Sequence, residues 1–250
     1  MTALPATFDS VRVRSRLHAR LARRFDLLTE DIPVGPLRIR FTRVADPQAV
    51  LDQICARIDR YERDTGNRVQ NDSLGLPYWA ELWDSAIGMG TWLAARDRLD
   101  GLSVMDLGCG MGLSGTVAAL LRARVLFADL ETDCLLFARL NGLRYDPTGR
   151  RVAARRVNWQ TDDLGQRFDR ILGSDVLYDR TQWPHLDRFF RRHLAPGGRV
   201  LLGEPGRQSG DDFLPWVAEK GWILTRYEQP VPTRTRPIRL FELIENSHTS

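Results

Sequence analysis

The sequence predicts an α/β fold in which helices cover both faces of a doubly wound, mostly parallel sheet of seven strands. Three observations support this prediction. Apolar strands and helices alternate from residue 77 onward, which is typical of a parallel sheet buried on both faces. A glycine-rich turn follows the first of these strands. The last two strands have no long helix between them, which predicts a C-terminal antiparallel hairpin.

The chain divides where this alternation begins. It has 250 residues, of which 43% are hydrophobic, enough for one large domain with a proper core. We expect an N-terminal extension of helices and a short strand over residues 1–76, which could cap the substrate side, and a main domain over residues 77–250. Three cysteines without metal-ligand spacing favour a reducing cytoplasm over a disulfide framework.

The extension contains three predicted elements. A helix is expected over residues 15–28, with an apolar face formed by Leu17, Leu21, Phe25 and Leu28. The arginines around that face form either a solvated surface or a docking surface for an acidic partner. Alternation over residues 36–44 predicts a strand, and Asp46 followed by Pro47 predicts the start of a second helix. The polar residues 64–76 are expected to form a loop.

In the main domain, helices are predicted over residues 83–97, 112–121, 131–144, 181–194 and 210–220. Strands are predicted over residues 102–107, 124–129, 151–157, 168–175, 199–204, 222–228 and 236–243. Residues 196–198, Pro-Gly-Gly, predict a tight turn before the fifth of these strands. The strand ends on one edge of the sheet therefore become the place to look for a ligand site.

The turn after the first of these strands allows two interpretations. Residues 110–115 fit the dinucleotide pattern G-x-G-x-x-G, and residues 106–112 fit an S-adenosylmethionine loop with Gly108, Gly110 and Gly112. The carboxylate of Asp106 favours the second, because it would repel a pyrophosphate and attract the ammonium group of S-adenosylmethionine. About 100 residues precede the turn, whereas dinucleotide folds usually place it near the domain start. No Gly-Lys-Ser/Thr follows, which excludes a phosphate-binding P-loop.

Other candidate cofactor residues follow the next strands. Asp129 ends its strand 21 residues after Gly108, where a carboxylate can accept both ribose hydroxyls, although it could simply cap the following helix. The amide of Asn158 can pair with an adenine edge, and the indole of Trp159 can lie against the adenine face or belong to the core.

Further candidate site residues lie on the same edge. Asp175 and Tyr178 would project from the carboxyl end of the strand after Ser174, or serve only as a cap and a packing residue. The aromatic segment 78–86, which contains Trp83, forms either a pocket wall or a buried staple before its helix. Residues 203–207 end the next strand at this rim.

Several other functions lack a pattern. Four scattered histidines give no metal site, and there is no G-x-S-x-G nucleophile turn. We expect no nucleic-acid partner, because basic and aromatic residues do not interleave. No apolar run approaches the roughly 20 residues that a membrane span needs. The first 24 residues lack the apolar core of a secretory signal.

Three segments together resemble a known group of enzymes: residues 78–86, residues 106–112 and residues 174–179. From residue 77 to about residue 244, the chain resembles the class I, seven-β-strand S-adenosylmethionine methyltransferases. It is most similar to the family 16 protein-lysine methyltransferases, which include the enzyme acting on the electron-transfer flavoprotein β subunit. The resemblance implies a Rossmann-like sheet and a cofactor site lined by Trp83, Asp106, Gly108, Asp129, Trp159 and Ser174. It also implies that Asp175 and Tyr178 face the acceptor, as in the family's D-x-x-Y/F signature.

The function expected from these residues is methylation of a lysine side chain of a protein. Methylation of a small-molecule amine or other metabolite is the alternative, followed by a dinucleotide-dependent oxidoreductase and a non-catalytic cofactor-binding module. Lys220 is the only lysine among 36 basic residues. That bias toward arginine reflects either a GC-rich genome or an enzyme that modifies lysine and therefore carries few lysines that it could modify in its own chain.

Overall fold

The computed structural model describes residues 9–68 and 76–246 as two sheets and the helices around them. The N-terminal elements are α1 (Ser10–Leu21), β1 (Leu27–Val34), β2 (Leu37–Val44) and α2 (Pro47–Thr65). The main-domain elements are α3 (Asp84–Arg96), β3 (Ser103–Leu107), α4 (Leu113–Leu120), β4 (Arg124–Asp129), α5 (Thr132–Gly142), β5 (Val152–Arg156), β6 (Phe168–Ser174), α6 (Trp183–His193), β7 (Leu194–Glu204), α7 (Gln208–Glu219), β8 (Trp222–Gln229) and β9 (Ile238–Glu245). Short 3₁₀ turns cover Tyr78–Ala80 and Arg180–Gln182.

The large sheet has seven strands in the order β5-β4-β3-β6-β7-β9-β8. All neighbours are parallel except β9, which runs antiparallel to both β7 and β8. The predicted mostly parallel sheet and C-terminal hairpin are therefore confirmed. The chain moves outward from β3 to β5 and then crosses to the other side of β3 at β6, so the switch point lies at the carboxyl end of β3, where ligands bind in such folds.

Both faces of this sheet are buried. Successive residues of β4 belong to opposite cores: Val125 and Phe127 pack in one apolar cluster, and Leu126 and Ala128 in the other. The first cluster contains residues of α3, α4 and α5, and the second contains residues of α6 and α7. Two-sided burial explains why these strands read as continuous apolar runs.

The N-terminal elements share the first cluster with the main domain. Phe41 of β2 is fully buried there, and the side chain of Asn141 on α5 bonds both backbone groups of Thr42. The Thr42 N–H donates to Asn141 Oδ1 at 2.8 Å, and Asn141 Nδ2 donates to the Thr42 carbonyl at 2.9 Å. The small hairpin of β1 and β2 is thus fixed to the layer of helices beside the glycine-rich turn.

The prediction of a helix over residues 15–28 was wrong at both ends. The helix α1 covers Ser10–Leu21, and the chain from Leu27 forms β1, which pairs antiparallel with β2. The leucine spacing continued past the helix by coincidence, since Leu28 is exposed and points away from the core. Gly35, at φ +57°, and Pro36 form the two-residue turn between the strands. A glycine at the first position of such a turn is a hairpin signal in the sequence.

Other predicted element boundaries agreed better with the structure. Asp46 caps α2 as predicted, accepting the Gln48 N–H at 2.9 Å, and Pro47 is the first helical residue. The helix continues to Thr65, so the predicted loop over 64–76 begins later, and residues 69–75 of it lie outside the described part of the chain. The predicted turn at 196–198 lies within β7, where pairing with β6 shifts register between Phe168 and Arg170.

Candidate active site

The turn from residue 108 to residue 112 forms a cradle at the carboxyl end of β3. Its three glycines all have positive φ: 62° at Gly108, 51° at Gly110 and 84° at Gly112. A Cβ on Gly108 would lie 2.9 Å from Val176 Cγ1, and one on Gly112 would lie 2.7 Å from Ala138 Cβ. Only glycine fits both the backbone conformation and the space, so the cradle depends on these residues.

Asp106 lies directly beneath this cradle. The residue is 1% exposed, and its Oδ2 accepts the Gly115 N–H of α4 at 2.7 Å. Burial raises the pKa of its carboxyl to about 8, and the nearby Asp129 adds to the rise against the effect of the Gly115 hydrogen bond. A buried carboxylate of this kind is stabilised by a cationic ligand group.

Asp129 supports the cradle from β4. Its Oδ2 accepts the Gly110 N–H at 2.9 Å, and its Oδ1 accepts the Glu131 N–H at 3.0 Å at the start of α5. Burial raises the pKa of this carboxyl as well. The side chain therefore ties the glycine turn to the residue just before α5.

Trp159 lies beside the glycine turn, whereas Asn158 has a local partner. The Trp159 ring would be 3.5 Å from a Cβ on Gly108, and its Nε1 donates to Gln182 Oε1 at 3.1 Å. The Asn158 Oδ1 accepts the Gln160 N–H at 3.0 Å and so stabilises its own turn. Its amide nitrogen is the part of the side chain left to meet an adenine edge.

Ser174 ends β6 next to the first turn of α4. Its hydroxyl lies 2.9 Å from that of the buried Ser114, which links the two elements across the switch point. Trp83 lies farther along the rim, in a cleft of about 580 Å³ shared with Asp175. The structure therefore groups Trp83 with Asp175, while the other predicted cofactor residues lie around the glycine turn and the switch point.

Asp175 is the most unusual residue of this cleft. Its backbone has φ +62°, a conformation that costs a non-glycine residue about 1–2 kcal/mol. The residue is 9% exposed; its Oδ1 forms an ion pair with Arg207, and its Oδ2 is buried without a partner. Burial raises the pKa of the carboxyl, although the Arg207 guanidinium opposes the rise. Strain and an unpaired buried oxygen together make this carboxylate the leading candidate for a functional group of the cleft.

Two tyrosines form the outer rim. Tyr178 and Tyr78 are 55% and 57% exposed, and their ring centroids lie 6.4 Å apart. Trp83 connects this rim to the cleft, because its Nε1 donates to the Tyr78 carbonyl at 2.9 Å. The aromatic segment thus forms a wall of the cleft, and its rings remain accessible to a ligand.

Sequence reasoning did not select Arg207 or Arg234, which line the same cleft. The segment 203–207 was placed at the rim, but nothing distinguished this arginine from the many others in the chain. The backbone of Arg207 is held by Glu204, whose buried carboxylate accepts hydrogen bonds from Arg239 and from the backbone N–H groups of Gly206 and Arg207. That arrangement joins β7 to β9 and has no local sequence signal.

Comparison with solved structures identifies the fold. The magnesium protoporphyrin IX methyltransferase ChlM of Synechocystis PCC 6803 aligns with a TM-score of 0.54 and 19% identity, over 81% of this chain and 98% of that one. The fold is therefore that of a methyltransferase domain. The chain belongs to the lysine methyltransferase family, whose sequence model matches residues 67–219. Membership excludes the interpretation of the glycine turn as part of a dinucleotide-dependent oxidoreductase.

Curated relatives agree with the family. Protein N-lysine methyltransferase METTL21A of Xenopus tropicalis is 32% identical over 151 residues, which cover 58% of this chain and 70% of the relative. The electron transfer flavoprotein beta subunit lysine methyltransferase of Danio rerio is 29% identical over 143 residues, covering 54% of this chain and 53% of the relative. Both alignments cover somewhat more than half of this chain.

Within residues 9–68 and 76–246, no three histidine, cysteine, aspartate or glutamate side chains are grouped so that they could hold a metal ion. None of the helices in these ranges has the length and apolar character needed to cross a membrane.

Proposed function

We propose that this protein is an S-adenosylmethionine-dependent N-methyltransferase that methylates a lysine side chain of a protein. The observation that carries the proposal is a buried, half-satisfied carboxylate on the same sheet edge as a glycine cradle with one buried and one half-buried acid. Family membership and relatives named as protein N-lysine methyltransferases support the same activity.

The cradle fits S-adenosylmethionine in charge and shape. Asp106 would meet the α-ammonium group, since a positive charge offsets the cost of burying that carboxylate. Asp129 would accept hydrogen bonds from the ribose hydroxyls, and the Trp159 ring would lie against the adenine. The remaining residues of this proposed site are Gly108, Gly110, Gly112, Asn158, Ser174 and, at its outer end, Trp83. When bound, the cofactor supplies a methyl group on a sulfonium sulfur, which leaves as a neutral thioether.

The cleft next to the cradle fits a lysine acceptor. A lysine ammonium, with an ordinary pKa of about 10.4, must lose a proton before its nitrogen can attack. Asp175 would hold this ammonium through Oδ2 and accept the proton, because its raised pKa makes it a better base than an exposed carboxylate. Tyr78 and Tyr178 would flank the alkyl stem and exclude water, which lowers the pKa of the amine.

We assign residues 1–76 to an extension that stabilises and caps this site, and residues 77–250 to the methyltransferase domain. Phe25, just before β1, packs edge-on against Trp79 with ring centroids 5.6 Å apart. The Trp79 carbonyl in turn lies 3.5 Å from the Cβ position of Gly110. These contacts support a role for the extension in holding the cofactor turn in place.

We also propose that the protein works in the cytoplasm on a protein partner. Its three cysteines are free thiols, and Cys55 is exposed, which suits a reducing compartment. The two exposed tyrosines suit a side chain presented by a folded protein, because each offers both an apolar ring face and a hydroxyl group.

The test uses methyl-labelled S-adenosylmethionine and a cell lysate depleted of small molecules, with free metabolites returned in a parallel sample. We expect the wild-type protein to label lysines of a protein band, Asp175→Ala and Asp175→Asn to lose that label, and Asp163→Ala to retain it. Asp163 is an exposed acid outside the cleft and serves as the control. Label in a soluble amine alone would instead identify a metabolite methyltransferase. Binding of S-adenosylhomocysteine without any transfer would identify a non-catalytic module.

A further inference from the structure

The acceptor cleft already contains a cation supplied by the chain itself. Arg207 Nη1 donates to Asp175 Oδ1, and the guanidinium carbon lies 5.7 Å from the centroid of the Trp83 ring. A carboxylate on one side and an aromatic face on the other are the two groups that bind a positive charge most effectively in a cleft. The guanidinium thus occupies the position beside Asp175 and Trp83 where a cationic ligand group would bind.

Arg207 satisfies only half of Asp175. The Oδ2 atom is buried without a hydrogen-bond donor, although the side chain as a whole is 6% exposed. A primary ammonium carries three N–H donors on one nitrogen and could bond Oδ2, whereas the guanidinium contacts only Oδ1 here. The cleft therefore offers a hydrogen-bond acceptor that Arg207 leaves unused and a lysine amine could use.

The Arg207 side chain can leave without disturbing its backbone. The backbone is fixed at both ends, because its N–H donates to Glu204 Oε1 and its carbonyl accepts Arg239 Nη2 at 2.8 Å. Among the residues that the structure describes, the guanidinium hydrogen-bonds only Asp175, and the side chain is 38% exposed. An arginine with one partner and an open side can rotate into solvent.

Arg234 offers a contrast in the same cleft. Its Nη2 donates to the Pro205 carbonyl at 2.6 Å, and its Nη1 lies 3.6 Å from Asp84 Oδ2. These two contacts hold it at the wall of the cleft, where its charge acts on Asp175 without a hydrogen bond to that carboxyl. It is therefore a matched control for a cation that lines the cleft without occupying the acceptor position.

We propose that Arg207 is a specificity-determining residue that occupies the acceptor site, so that only a primary amine on a long alkyl stem displaces it from Asp175 and Trp83. This inference rests on the proposed lysine methylation and adds a residue that controls it. Smaller or weakly basic groups that cannot compete for Asp175 are excluded, because the arginine stays in place.

The test exploits the scarcity of lysine in this chain. The variant Arg207→Lys places a lysine amine beside Asp175, and Lys220, against Trp216 at the end of α7, is the only other lysine. In the variant, the deprotonated Nζ forms a bond to the methyl carbon, the sulfur–carbon bond breaks with its electron pair left on sulfur, and Asp175 takes the released proton. We expect the variant, incubated alone with deuterated-methyl S-adenosylmethionine, to gain one to three methyl groups at position 207 by peptide mapping.

Controls separate this result from adventitious labelling. Arg234→Lys and the wild-type protein should gain no methyl group, and Arg207→Lys combined with Asp175→Asn should lose the label. Equal labelling at positions 234 and 207 would overturn the proposal. So would an unlabelled Arg207→Lys variant that binds S-adenosylhomocysteine as tightly as the wild type, as measured by calorimetry.

A second variant covers the case in which Arg207→Lys does not fold. Arg207→Gln removes the competing cation, and we expect kcat/KM for lysine labelling of lysate proteins to rise about fivefold, the effect of losing one partly exposed ion pair. A loss of labelling would show instead that Arg207 only orients Asp175. Suppose that the wild type labels lysate proteins, but Arg207→Lys is not methylated and Arg207→Gln does not label faster. This inference then fails and the proposed function stands. If no protein labels any acceptor, both fail.

Discussion

Lowering the pH should weaken cofactor binding through the titration of Asp106. Its pKa of about 8 means that the carboxyl is mostly protonated at neutral pH in the free protein, whereas pairing with the α-ammonium of the ligand requires the carboxylate. The ionised fraction is about 1% at pH 6 and about 9% at pH 7, so the Kd for S-adenosylhomocysteine should fall about ninefold between them. Binding should be tightest near pH 8, because the ligand's own α-amino group, with a pKa of about 8, loses its charge above that.

Calorimetric titrations at pH 6, 7 and 8 measure this effect directly. Repeating them at pH 7 in buffers of different ionisation enthalpy should reveal release of about one proton per ligand bound. The variant Asp106→Asn keeps the shape of the side chain and cannot titrate, so we expect weaker binding with little pH dependence. Burial also raises the pKa of Asp129, and this variant separates the two acids. A Kd that does not change with pH in the wild type would refute the assignment of Asp106 to the ammonium group.

Three further predictions follow from the same geometry. Gly108→Ala should reduce S-adenosylhomocysteine affinity about tenfold or more (~1.4 kcal/mol), because the new Cβ meets Val176. The control Gly165→Ala, at φ +64° in open space, should only lower stability by about 1 kcal/mol in thermal unfolding. Asp175→Ala should abolish methyl transfer with cofactor affinity within a few-fold; retained turnover would contradict its role as the base. Without ligand, the free energy of unfolding should fall as pH rises from about 4 to about 8, since Asp106 binds its proton more tightly folded than unfolded, and Asp106→Asn should flatten that slope in denaturant titrations.

The sequence predicted the sheet well because the core strands are buried apolar runs that end in recognisable residues, such as glycines or an acid. The glycines after β3 and the acid at the end of β4 mark the switch point in the sequence, and the structure brings the two together through the Gly110–Asp129 hydrogen bond. The first strand, β1, was missed because Leu28 extended a helical spacing and the Gly-Pro turn that follows was not used. Local periodicity cannot tell an exposed leucine from a buried one.

The acceptor cleft was only partly predictable. Asp175 and Tyr178 follow directly from the strand end before them, so their edge of the sheet could be inferred. The partner of Asp175 could not, because Arg207 reaches it from a loop 32 residues away that is held by a buried Glu204–Arg239 pair across two strands. Long-range ion pairs leave no spacing in the sequence, and only the fold reveals them.

The most direct test of the central claim is a crystal structure of the protein with S-adenosylhomocysteine. The account predicts a ribose within hydrogen-bonding distance of Asp129, an amino-acid end beside Asp106, adenine against Trp159, and a sulfur atom directed toward the cleft of Asp175. A ligand bound at another edge of the sheet, or a crevice beside residues 106–112 too narrow for adenosine, would contradict it.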